Sequence, residues 1–361
     1  MKKVIISCGG TGGHIYPGIA IGQVLRSKVK DISILYVGTE TGMEKGLITK
    51  EKFEFLGISS GKILRKLSFT NVLNFFKFIK GIFQSMKIIK TFKPELVIGL
   101  GSYVCAPVAV AGWLKKVPVV LHEQNAIPGL TNKALSRIAK KILASFEESI
   151  KLFPKGKAVF TGKLVREDIG RLDRDGCIKK LNLDASKKTI SVIGGSQGSH
   201  RMNTVFFDTL KYLKSMNVQV LWMTGQKDFE TYKSKTGEYG STVLVQPFFH
   251  NINELYAVTD LIVCRAGAST IAEIIKCGIP AIFVPYPFAA HNHQFYNADE
   301  LVKNNAALMI DEKELTAEAL QSMIKELVRD ESRLKALSKN MKSMDKVDSR
   351  EAIFKVLTEL V

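Results

Sequence analysis

The chain of 361 residues lacks several things that would have set its class at once. Its five cysteines (Cys8, Cys105, Cys177, Cys264, Cys277) are odd in number, far apart and free of any C-x-x-C pair. That pattern argues against a disulfide framework and a zinc site, and leaves buried small hydrophobes as the expectation. No apolar run approaches the roughly 18 uncharged residues that a spanning helix requires. Met1-Lys2-Lys3 leads into a run that breaks at Gly9-Gly10, too short for a secretory signal, so a chain that is never translocated is expected. Acidic residues are scarce, 34 Asp and Glu against 52 Lys and Arg for a net charge of +18. Between Phe55 and Pro94 they vanish, while Lys62, Arg65, Lys66, Lys77, Lys80, Lys87, Lys90 and Lys93 accumulate. A polyanionic partner follows, either an anionic lipid surface or nucleic acid.

What is present is an apolar run that breaks into a glycine turn, and it occurs twice. Val4-Ile5-Ile6-Ser7-Cys8 enters Gly9-Gly10-Thr11-Gly12-Gly13-His14, and Thr189-Ile190-Ser191-Val192-Ile193 enters Gly194-Gly195-Ser196-Gln197-Gly198-Ser199. Each continues into a helical pattern, which is how a strand feeds a helix whose uncovered N–H groups face an anion. Strand, glycine turn, helix, strand and polar loop recur in the same layout over 94–125 and 259–294. Two α/β halves facing one another across a nucleotide site are therefore expected, and 46% hydrophobic residues can fill both cores. A G-x-G-x-x-G dinucleotide fingerprint is missing, because its last position falls on His14 or Ile15. No nucleic-acid-binding module is recognisable either, so no nucleic-acid partner is expected. The pattern Val72, Phe75, Phe76, Ile79, Ile82, Phe83, Met86, Ile89 predicts a helix laid on the sheet. Phe69, Leu73 and Phe78 fall off that stripe beside the lysines, as in a helix lying in a bilayer interface. Asp173-Arg174-Asp175 has the form of a metal-nucleotide D-x-D triplet but sits in an irregular polar stretch, where a structural role is expected.

Gly9 to His14, His122-Glu123-Gln124-Asn125, Gly194 to Gly198, Cys264-Arg265-Ala266-Gly267-Ala268 and His293-Gln294-x-x-Asn297-Ala298 come in one order along the whole chain. Together they closely resemble the bacterial undecaprenyldiphospho-muramoylpentapeptide β-N-acetylglucosaminyltransferases, the peptidoglycan enzymes that convert lipid I to lipid II. The resemblance implies a GT-B architecture, two Rossmann-like doubly wound domains separated by a deep cleft. Residues 1–163 would form the acceptor and membrane domain, 164–340 the UDP-sugar domain, and 341–361 a helix returning to the first. It implies an inverting, metal-independent transfer from UDP-N-acetylglucosamine, with no cofactor. The resemblance further implies a place on the cytoplasmic face of the membrane, with other cell-wall synthesis proteins as partners there.

Carried over by position, the resemblance puts Ser196 on the donor diphosphate, Glu273 on the ribose hydroxyls, the Phe249 backbone on uracil and Arg166 on the nucleotide. Thr11, Gly12, Gly13, Asn125, Ala268, Ser269, Thr270, Ile271, Ala272, His293 and Gln294 would hold the donor and its sugar. The chain departs from the family pattern at Lys163-Leu164, where Asn-Pro is usual, at Ser102 and Ala106, which replace glycines, and at His291, which replaces an acidic residue. An inverting displacement needs a base on the acceptor hydroxyl. His14, placed after a glycine turn and titrating near neutrality, is one candidate, and Glu123 is the rival. A UDP-sugar:diacylglycerol glycosyltransferase of the same superfamily is the alternative function.

Overall fold

A computed structural model describes residues 1–61, 69–195 and 197–361, with Phe69 described by its backbone alone. Lys62, Arg65, Lys66 and Ser196 lie outside the described residues. The chain divides into two units, Met1–Glu167 with Val347–Val361, and Asp168–Lys346. The division falls after Glu167 rather than after residue 163, so Arg166 belongs to the first unit.

The first unit alternates strand and helix: β1 (Lys3–Ser7), α1 (Gly12–Lys28), β2 (Ser33–Thr39), α2 (Glu44–Lys50), β3 (Glu54–Ile58), α3 (Phe69–Phe92), β4 (Leu96–Gly99), α4 (Cys105–Leu114), β5 (Val119–Glu123), α5 (Leu130–Leu135), β6 (Lys141–Ala144), α6 (Glu147–Ile150) and β7 (Ala158–Phe160). In the second unit α7 (Arg174–Lys180) precedes β8 (Lys188–Ile193), α8 (His200–Leu213), β9 (Val218–Met223), α9 (Phe229–Lys235), β10 (Val243–Gln246), α10 (Ile252–Val258), β11 (Leu261–Cys264), α11 (Ala268–Cys277), β12 (Ala281–Phe283), α12 (His293–Lys303), β13 (Leu308–Met309), α13 (Ala317–Arg329) and α14 (Glu331–Ser343). The last helix, α15 (Ser349–Thr358), belongs to the first unit.

Among the described residues the strands form two parallel sheets, in the orders β3-β2-β1-β4-β5-β6-β7 and β10-β9-β8-β11-β12-β13. Each runs outward from its first strand in both directions, so each has a switch point, between β1 and β4 and between β8 and β11, where ligands bind at the carboxyl ends of the strands. The strands are apolar almost throughout because helices cover both faces. In β1, Val4 and Ile6 enter a core with Ile19, Val24, Tyr36, Ile353 and Leu357, while Ile5 joins Val97, Val108 and Leu121 on the other side. The core of the second unit is built on Ile190, Val192, Phe206, Trp222, Val263, Ile282 and Ile324.

The helix expected over 72–89 forms as α3, but the face it covers differs from the one its spacing suggests. Ser85 and Ile89 are buried and Ile82, Met86, Ile88 and Phe92 half-buried, packed against α4. Val72, Phe75, Phe76 and Phe83, assigned to the buried stripe, are exposed. Leu73 is exposed as expected, and Phe78 is half-buried. The cause is length, since α3 has 24 residues and α4 only 10, so at about 1.5 Å per residue most of α3 has no helix beneath it. The two helices meet at Gly81, where a Cβ would lie 3.2 Å from the Pro107 ring of α4 and 2.2 Å from the Ser59 carbonyl after β3. Among the described residues no helix is long and apolar enough to cross a membrane. The D-x-D triplet is structural: Asp173 caps α7 by accepting from Gly176 N at 2.7 Å, and Arg174 pairs with Asp260 at 2.9 Å.

Candidate active site

In the second unit, the loops expected to bind the donor all leave the carboxyl ends of strands. The turn after β8 is built on backbone packing. Gly198 has φ +74°, and a Cβ on it would lie 2.2 Å from the Thr224 carbonyl at the end of β9. Only a glycine lets these two loops touch. Ser199 caps α8, accepting from Met202 N, and its hydroxyl also accepts from Arg265 Nη2 at 2.7 Å. The same guanidinium donates to the carbonyls of Val284 and Pro285, each at 3.1 Å, and pairs with Glu312. Arg265 therefore ties the start of α8, on one side of the switch point, to the chain leaving β12 on the other. Its motif drew attention in the sequence, but its role did not. A charged residue directly after a buried strand was the available signal.

Gly267 opens α11 in extended conformation, and Ala268 to Glu273 form its first turns. Ala268 and Ala272 are buried, and Ile271 is buried completely. Ser269 Oγ is buried with no hydrogen-bond partner among the described residues. Glu273 is 9% exposed and accepts from the Tyr256 hydroxyl at 2.8 Å. Burial first, then the carboxylate, holds that phenol well above its usual range, so it stays a donor. His293 and Gln294 begin α12; Gln294 Oε1 accepts from Tyr286 N at 2.9 Å, and burial lowers the His293 imidazole. Phe249 is buried in the segment after β10.

In the first unit, Thr11 stands just before α1 and its Oγ1 lies 3.0 Å from His14 Nδ1. Arg166 stacks over the Tyr16 ring, 5.1 Å from its centroid. At the end of β5, Glu123 is buried and fully engaged. Oε1 accepts from Asn125 N at 3.0 Å and Asn125 Nδ2 at 3.2 Å; Oε2 accepts from Gly129 N at 3.0 Å and Asn132 Nδ2 at 2.9 Å. Burial raises its carboxyl above the usual range, and those four bonds oppose the rise. Next to it, His122 is held down at about 4, by burial first and then by the His14 imidazole. Burial also raises the thiols of Cys8 and Cys264 and pushes Cys105 up to about 12, as suits inert core residues, and the half-buried Cys277 is likewise pushed up to about 12.

Residues 4–144 match the glycosyltransferase family 28 N-terminal domain and residues 189–353 the family 28 C-terminal domain. The chain belongs to glycosyltransferase family 28. Similar curated proteins share one name, UDP-N-acetylglucosamine–N-acetylmuramyl-(pentapeptide) pyrophosphoryl-undecaprenol N-acetylglucosamine transferase. That of Thermoanaerobacter sp. (strain X514) is 41% identical over 363 residues, covering 99% of this chain and 100% of its own. That of Bacillus subtilis (strain 168) is 38% identical over 360 residues, covering 99% of both. The crystal structure of Acinetobacter baumannii MurG is similar with a TM-score of 0.77 at 28% identity, over 99% of this chain and 100% of that one. Two parallel-sheet Rossmann-like domains place this family 28 chain in the GT-B class.

Proposed function

We infer that the chain transfers N-acetylglucosamine from UDP-N-acetylglucosamine to the C4 hydroxyl of the N-acetylmuramoyl-pentapeptide of lipid I, forming lipid II with inversion. The observation that carries this is full-length similarity to relatives named for that transfer. Those names specify a muramyl acceptor, which favours lipid I over diacylglycerol.

Charge relief at the departing UDP comes from amides at the glycine turn and at the positive ends of α8 and α11. Ser269 Oγ and the backbone of Ala268 to Ala272 serve the donor. Tyr256 steadies Glu273 against the ribose hydroxyls, and the Phe249 backbone reads uracil. Gln294 spends its carbonyl on Tyr286 and turns its amide group, with His293, to the sugar. Ser196 would join the diphosphate contacts on the strength of its family position alone.

In the first unit, His14 is the base. Thr11 engages Nδ1, so Nε2 is the nitrogen that takes the acceptor proton. Glu123 has both oxygens occupied by the turn it organises, which makes it the residue that positions Asn125 rather than a second base. Arg166, braced on Tyr16, and Thr11 to Gly13 complete the contacts. The exposed face of α3, with Val72, Leu73, Phe75, Phe76 and Phe83 beside exposed Lys77, Lys80, Lys87 and Lys90, suits an anionic membrane surface that carries the acceptor. On this reading the enzyme works peripherally on the cytoplasmic side of that membrane.

The test mixes the protein with UDP-N-acetylglucosamine and a lipid I analogue in EDTA and measures UDP. Release above the control without acceptor is expected. Release equal to that control rejects the reaction.

A further inference from the structure

One guanidinium in the second unit joins the segments that follow four neighbouring strands, β8, β11, β12 and β13. Arg265, directly after β11, is buried. Its Nη1 donates to the carbonyls of Val284 and Pro285 after β12, each at 3.1 Å. Its Nη2 donates to Ser199 Oγ at the start of α8, at 2.7 Å, and to the Glu312 carboxylate after β13. Each Nη carries two N–H groups and meets two acceptors, so the fork is filled from within the protein. Arg265 is therefore a tie rather than a phosphate ligand, and Glu312, 47 positions further on, is its counter-charge. The segment that carries Glu312 reaches α8 a second time. Leu315 O accepts from Arg201 Nη2 at 2.9 Å, and the Leu315 side chain enters the core that holds Phe206.

We propose that Glu312 is a positioning residue for the departing diphosphate: through Arg265 it fixes Ser199 and the first turn of α8, whose amides receive the phosphate charge. The inference rests on the donor reading given above and adds to it a residue three strands away from the glycine turn. Amides that meet developing charge act best when they are aimed beforehand. The cap of α8 does not aim them alone, because Ser199 Oγ accepts from Met202 N at 3.4 Å, a long bond. The bond from Arg265 to the same oxygen is shorter and charge-assisted, and Glu312 holds the guanidinium that makes it. Without the carboxylate, a buried guanidinium is left uncompensated and is driven to seek another anion or water, which loosens its hold on Ser199.

The experiment compares two ligands on the full chain, UDP by calorimetry and uridine, which lacks the phosphates, by ligand NMR titration. E312Q keeps the shape of the side chain and removes its charge. It should weaken UDP binding roughly three- to tenfold while uridine stays within about twofold of the wild type. S199A leaves the ion pair in place and should lose a similar factor for UDP alone. In the S199A background, E312Q should add almost nothing, because the tie is already cut. Urea midpoints establish that each variant is folded, and S199A carries the ligand comparison if E312Q is not. Equal losses for UDP and uridine, unchanged or tighter UDP binding, or losses that multiply in the double variant overturn the positioning role. A wild type that binds UDP but releases none from UDP-N-acetylglucosamine with the lipid I analogue would reject the transfer and leave the tie standing. A wild type that does not bind UDP overturns both.

Discussion

His14 lies half-buried at the first glycine turn with Thr11 on one ring nitrogen, whereas His122 is sealed beneath it at the end of β5. His14→Ala should lower kcat by roughly 10²- to 10⁴-fold while UDP affinity, measured by calorimetry, stays near the wild-type value. A matching loss in both would make the imidazole a binding group. His122 has a different signature. Its folded pKa of about 4 lies below the ordinary 6.5, so the unfolded chain binds a proton that the native state refuses. The stabilisation is fully present above pH 6.5 and is lost as pH falls towards 4, amounting to about 3 kcal/mol at most. Urea midpoints across that window should therefore fall less steeply for His122→Asn than for the wild type. Equal slopes would refute the assignment. Glu123 shows where sequence reading stops at this scale. A carboxylate after a buried strand reads as base or as brace, and no local pattern announces that Gly129 from the following turn and Asn132 from α5 both donate to it. Nor does any local pattern show that Tyr256, 17 positions earlier, would anchor Glu273.

At the scale of elements, the strand-to-helix units at β1, β4, β8 and β11 were legible because their apolar runs end in glycine turns that few other structures need. The covered face of α3 was not, because it depends on how far the shorter α4 extends beneath it. The exposed aromatics that result can be tested directly. Phe75→Ser, Phe76→Ser and Phe83→Ser should each weaken sedimentation with anionic vesicles by roughly tenfold if each ring enters the interface. Thermal stability and turnover of a short-chain acceptor should barely move, since these side chains touch solvent. The glycine turn of the second unit allows a sharper contrast. Gly195→Ala meets only the strain of φ +91°, with nothing among the described residues within 4 Å of its Cβ, and should cost about 1 kcal/mol. Gly198→Ala adds a collision with the Thr224 carbonyl and should cost several times as much, with UDP binding lost in parallel, as denaturant midpoints and calorimetry would show.

For the whole molecule, the charge of +18 predicts that vesicle association falls with added salt, while turnover of a soluble acceptor is far less sensitive. The path of the chain carries a further consequence. Ile353 and Leu357 of α15 are buried in the same core as Val4 and Ile19, although the entire second unit separates them in sequence. A ribosome thus makes most of the first unit early but cannot complete its core until the final codons have been read. The second unit, an uninterrupted insertion, has its whole sequence available sooner. A message cut after the codon for Lys346 should yield a protein whose second unit still binds UDP in calorimetry while its first unit aggregates or is degraded, so that no half-built enzyme turns over substrate.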